Sequence, residues 1–120
     1  MDLIMKFIAS IILFLPLFIN NVYASNASLL FYGNCTACHM ERIKKSAPSF
    51  YEVKENYLRA FPTKKEFVKA MSIWVHNPKS ETSIMQGAID RFGLMPNLVY
   101  DLQTLEEIAA YIYETDFNLP

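Results

Sequence analysis

Cys35-Thr36-Ala37-Cys38-His39 concentrates the reactive side chains of this sequence. Two thiols separated by two residues, at the start of a helix, reach the two vinyl groups along one edge of a haem and can add to them as thioethers. The adjacent imidazole then projects at the iron from the same side. Attachment of this kind prevents loss of the cofactor, and His39 fills one axial position. Three other uses of these residues compete. A thiol–disulfide module also uses C-x-x-C, with one activated thiolate, but it needs βαβ alternation and usually an aromatic before the first Cys, where this chain has Asn34. A zinc site could draw on Cys35, Cys38, His39 and His76, yet adjacent Cys38 and His39 point apart for one tetrahedral ion. A disulfide across two intervening residues closes too small a loop to add much stability. One covalent haem c with its iron is the expected cofactor.

The sixth position decides what such an iron can do. A thioether there leaves the iron six-coordinate and suited to electron transfer, because soft sulfur favours the ferrous state. An open position suits a gas sensor or a haem enzyme instead. Met40 lies beside His39, on the proximal side, and Met71 falls on a helical apolar stripe as core filler. Met85 and Met95 both lie in a long connection. Met95 has Gly93 before it and Pro96 after it, a turn that can hold a side chain inward, whereas no proline stiffens Met85. Met95 is the expected ligand and Met85 its competitor. His76 ends a helix beside Asn77-Pro78, where a histidine ordinarily faces solvent. It is the other histidine of the chain, and no arginine stands beside it to complete a distal catalytic set. Arg91 and Lys79 are candidate neighbours for haem propionates, and Trp74, Phe67 and Phe50 are expected in the core.

The apolar spacing that must position these residues is helical throughout. One segment, 27–33, carries Leu30, Phe31 and Tyr32 into the cysteine motif. A second opens with the capping box Ser49-Phe50-Tyr51-Glu52 and aligns Phe50, Val53 and Tyr57 on one face. A third opens with Thr63-Lys64-Lys65-Glu66, spaces Phe67, Met71 and Trp74 at i, i+4, i+7, and stops at Asn77-Pro78. Lys64, Lys65 and Lys69 lie on it and solvate it. The fourth, capped from Thr104, places Leu105, Ile108, Ala109 and Ile112 on one face. Residues 79–101, with Gly87, Gly93 and Pro96, read as a loop long enough to have a function.

The first 24 residues read as a leader. Lys6 precedes a nearly uninterrupted apolar run at 7–19, and Val22-Tyr23-Ala24 supplies the small–x–small pattern of a cleavage site. The run falls short of the ~20 residues of a comfortable membrane span. Asp2 is unusual in such a segment, and a start at Met5 would give an ordinary secretory opening. The expected division is a signal peptide over 1–24 and one domain over 25–120, with a membrane attachment only if the leader stays uncleaved. With 120 residues, one small domain is the ceiling. Eleven Lys+Arg against 12 Asp+Glu, a net charge of −1, leave no basic excess for nucleic acid. An aromatic content of 14% argues against a disordered chain.

In this order of motifs, residues 25–120 resemble the class I mono-haem cytochromes c, especially the short bacterial ones. Phe31 stands where that family places a helix-packing aromatic ahead of the first Cys. Ala47-Pro48-Ser49-Phe50 resembles its proline segment, Gly93-Leu94-Met95-Pro96 its Met-Pro loop, and Ile108-Ala109-Ala110-Tyr111-Ile112 its C-terminal helix. The resemblance implies an all-α fold, about four short helices wrapped around one covalently bound haem. It implies thioethers at Cys35 and Cys38, axial ligands at His39 and Met95, and a Pro48 carbonyl accepting the His39 N–H. It also implies a periplasmic, non-enzymatic carrier of single electrons, with transient redox-protein partners and dependence on haem-attachment machinery. The insertion before the Met loop and Ala47, where glycine is frequent, are departures from the pattern.

Overall fold

Among the described residues (1–14, 20–43 and 45–118), a computed structural model shows six α-helices and no strand. They are α1 (Asp2–Phe14), α2 (Asn20–Asn34), α3 (Phe50–Ala60), α4 (Lys64–His76), α5 (Gln86–Phe92) and α6 (Leu102–Glu114), with a 3₁₀ turn at Ser80–Thr82. The all-helical expectation holds, and the four helices expected in the domain are α2, α3, α4 and α6. α1 lies within the expected leader, of which residues 15–19 lie outside the described residues. The addition is α5, inside the stretch read as a loop. Met85, Ile89 and Phe92 follow the i, i+4, i+7 spacing there, Ala88 is buried, and Gly93 ends the helix at φ +81°, a conformation that favours glycine.

Side-chain caps set three of the helix starts. Ser49 Oγ accepts from the Glu52 N–H at 3.2 Å and Thr63 Oγ1 from the Glu66 N–H at 3.3 Å, the hydroxyl halves of the two capping boxes; Glu66 Oε2 accepts the Thr63 hydroxyl at 3.1 Å, and Glu52 Oε1 accepts from Arg91. The start of α6 differs from expectation by one turn. Asp101, not Thr104, is its cap: the Asp101 carboxylate accepts both the Thr104 N–H at 2.9 Å and its hydroxyl at 2.7 Å. A carboxylate outcompetes a threonine hydroxyl for these amides because it adds a favourable charge at the helix N-terminus.

The core lies where α6 crosses α2 and α4, with α3 packed beside them. Leu105, Ile108, Ala109 and Ile112 bury one stripe of α6. Phe31 has no exposed surface, and its ring stands 4.5 Å from Phe50, 5.1 Å from Tyr111 and 5.9 Å from Phe117. Phe67 and Met71 from α4 and Val53 and Tyr57 from α3 complete the cluster. Among the described residues, two ion pairs tie elements together outside it. Lys64 joins Glu114, and Arg91 on α5 reaches Glu52 on α3 at 3.0 Å. No described helix is long and apolar enough to cross a membrane.

Candidate cofactor site

The helical path of α2 continues into the cysteine motif. The Cys35 N–H donates to the Phe31 carbonyl at 2.9 Å, and the His39 N–H donates to the Cys35 carbonyl at 3.0 Å. One turn of helix therefore puts Cys35 and His39 on a common face, four residues apart. Both line a deep cleft, while Cys38, three residues after Cys35, is exposed beside it. Both thiols are free. The chain then returns to α3, where the Phe50 N–H donates to the Met40 carbonyl and the Tyr51 N–H to the Glu41 carbonyl, each at 2.9 Å. This closure brings Pro48 beside the histidine.

His39 Nδ1 lies 2.8 Å from the Pro48 carbonyl oxygen. A carbonyl can only accept, so Nδ1 carries the ring proton and Nε2 keeps its lone pair. The imidazole is further confined by Phe50, its ring centre 5.1 Å away. Burial pushes the His39 pKa below its ordinary value, outweighing the upward pull of the Pro48 bond, so the ring stays neutral, as a metal ligand must. Burial also pushes the Cys35 thiol up to about 11. That is the opposite of the lowered pKa that activates a thiol–disulfide centre.

The free volume inside the cleft is about 110 Å³. Its wall is overwhelmingly apolar, built by Val53, Ile108 and Ile112 among others. Three methionines reach it: Met71, Met85 and Met95. Met71 is nearly buried and belongs to the core cluster, as the helical stripe implied. Met85 sits at the N-terminal boundary of α5 and packs against the same cluster, whereas Met95 lies in the non-helical segment between α5 and α6. Met40 is not on the wall.

Several other expectations resolve differently. His76 is exposed and away from the cleft, as a helix-terminal histidine should be, but it is not idle: its Nδ1 is 3.0 Å from the Tyr100 carbonyl. Trp74, read as core, is half-buried on the cleft wall, with its indole N–H donated to the Lys79 carbonyl at 3.1 Å. Arg91 is engaged by Glu52, and neither it nor Lys79 lines the cleft. Ser72, Ser83 and Tyr100 line it without having been singled out by sequence. Among the described residues, no three His, Cys, Asp or Glu side chains converge on a point that could hold a metal ion by themselves, which disfavours the zinc alternative.

A neutral imidazole with a free nitrogen, a cysteine on its own helical face, a second beside the rim and thioethers on an apolar wall form a donor set that fits a covalently attached metal porphyrin. In comparison with protein families, the cytochrome c model matches residues 24–116. No curated protein and no solved structure gave a match.

Proposed function

The chain belongs to the cytochrome c family, and we propose that it is an exported mono-haem carrier of single electrons, with His39 and Met95 as axial ligands. The family binds haem c covalently, with its iron. When bound, that group supplies a metal centre that takes up and releases one electron at a time. The protein supplies everything else. Cys35 and Cys38 would hold the porphyrin edge by thioethers. His39 presents Nε2 because Pro48 holds the proton on the opposite nitrogen, an arrangement that fixes both tautomer and ring direction. The apolar wall keeps water from the centre and limits reorganisation when charge changes.

The observation that carries this reading is the His39–Pro48 bond on the wall of an apolar cleft that thioethers also line. Met95 is favoured over Met85 because Gly93, at φ +81°, and Pro96 bracket it in a non-helical segment, while Met85 is engaged with the core. Export is supported by the apolar run at 7–19 behind Lys6, by the Val22-Tyr23-Ala24 pattern, and by a family match that starts at residue 24. In a periplasm-like compartment, the carrier would meet its redox-protein donor and acceptor in small, short-lived contacts, after haem-attachment machinery has loaded it.

Absorption spectra of the purified protein, oxidised and reduced, with and without carbon monoxide, test the reading. The expected result is a c-type ferrous spectrum unmoved by carbon monoxide and a weak far-red sulfur–iron band in the oxidised form. Met95→Ala should abolish that band and Met85→Ala should leave it. Rapid carbon monoxide binding by the unmodified protein would replace the carrier with a sensor or enzyme. A colourless protein with two oxidisable thiols would sink the cytochrome function altogether. The mass of the mature chain checks the leader, with cleavage after Ala24 expected.

A further inference from the structure

Three segments far apart in sequence meet at Tyr100. Its phenol donates to Asn34 Oδ1, and Asn34 immediately precedes Cys35. The Asn34 amide is oriented for this role: its Nδ2 donates to the Leu30 carbonyl at 2.9 Å, which turns Oδ1 toward the phenol. The Tyr100 backbone carbonyl accepts from His76 Nδ1 at 3.0 Å, and His76 is the last residue of α4. Tyr100 itself is half-buried and lines the cleft.

The residue before it shows what these bonds hold. Val99 has φ +60°, a conformation in which a β-branched residue is a genuine outlier. Packing does not impose it, since Val99 is 88% exposed. Such strain persists only where the flanking structure over-determines the backbone. On one side, the Val99 N–H donates to Asn97 Oδ1 at 2.8 Å; on the other stand the two bonds of Tyr100.

We propose that Tyr100, tied to His76 by its carbonyl and to Asn34 by its phenol, is a strut that positions segment 93–101, and Met95 with it, over the cleft. Asn34, Tyr100 and His76 act as positioning residues; none need touch the cofactor. The proposal depends on Met95 as sixth ligand only for its spectroscopic consequence, not for its effect on the segment.

Tyr100→Phe removes the phenol bond and keeps the carbonyl; His76→Ala removes the carbonyl's donor and keeps the phenol. The measurement is amide hydrogen exchange of the holoprotein across 94–99, with α6 amides as the reference for global stability. Each variant should speed exchange in 94–99 by roughly two- to tenfold while α6 stays unchanged, the range expected for loss of one hydrogen bond. His76→Gln, whose side-chain amide can donate to the same carbonyl, should restore much of the protection. Carbon monoxide should bind the reduced variants faster, and the far-red band should weaken. Unchanged exchange in both variants, or equal acceleration in α6, would overturn the strut. Faster exchange in 94–99 with an intact far-red band that Met85→Ala abolishes would leave the strut standing and remove Met95 as the ligand.

Discussion

Phe31 is the residue on which the packing of the motif depends. With no exposed surface and four aromatic rings (Tyr32, Phe50, Tyr111 and Phe117) within 6 Å of its own, it joins α2 to α3, α6 and the C-terminal Phe117. Its position in the helix fixes the direction from which Cys35, bonded to the Phe31 carbonyl, enters the cleft. Phe31→Ala removes a full ring that its neighbours cannot close over. It should cost about 3–5 kcal/mol, read as a fall in the denaturant midpoint at constant slope. Phe31→Leu, which keeps most of the volume, should lose clearly less. At the same scale, His39 illustrates how a backbone group can set side-chain chemistry. The Pro48 carbonyl has no proton to give, so it selects the tautomer, and no substitution at residue 48 that preserves the backbone path removes that acceptor.

Among the elements, α6 has the start most exposed to pH. Asp101 is held below the ordinary carboxylate value of 3.8, first by the Thr104 backbone N–H and then by the Thr104 hydroxyl. A depressed pKa in the folded state means that ionised Asp101 stabilises the fold above 3.8, and that this contribution is lost as pH falls through the lowered value. Asp116 behaves alike through the Asn118 N–H at 2.8 Å. Thermal melts should therefore show a midpoint falling on acidification below about pH 4. Asp101→Asn keeps a capping oxygen without a titrating proton, so the acid limb should be shallower in that variant. An unchanged acid limb would mean that the cap carries no share of it. The α5 helix shows the opposite case, an element with no side-chain cap at its start. It is held instead by Gly93 at its end, by buried Ala88 and by the Arg91–Glu52 pair.

For the molecule as a whole, the long dimension is 73 Å against 29 and 26 Å for the other two, and residues 1–8 are exposed. The core cluster begins at Phe31, with Leu30 packed against it. A chain lacking residues 1–8 should accordingly unfold within about 0.5 kcal/mol of the full chain, the spread of changes confined to exposed residues. A larger loss of midpoint would show that the leader takes part in the fold. The burial that stabilises the domain is aromatic-rich and limited, as expected for a small domain that relies on a cofactor to complete its interior.

What could be read from residue order alone is local in its physics. The types and spacing of Cys35, Cys38 and His39 state the covalent chemistry available, because the reacting groups sit within one turn. The faces of α3, α4 and α6 follow from period and caps, since i, i+3 and i+4 neighbours meet whatever the rest of the chain does. Even α5 is legible in Met85, Ile89 and Phe92, but Gly87 and Gly93 read as loop signals and outweigh a stripe that serves a helix only seven residues long. Phe117, beyond the last helix, gave no periodic signal of its burial. The tertiary structure decided which side chains share the cleft and which are occupied elsewhere. Arg91 finds Glu52 39 residues away, His76 finds Tyr100 24 away, and Tyr100 finds Asn34 66 away. Partners at such separations depend on how the helices that carry or flank them pack together, and that packing is fixed by several helices against one core rather than by the sequence of any one of them.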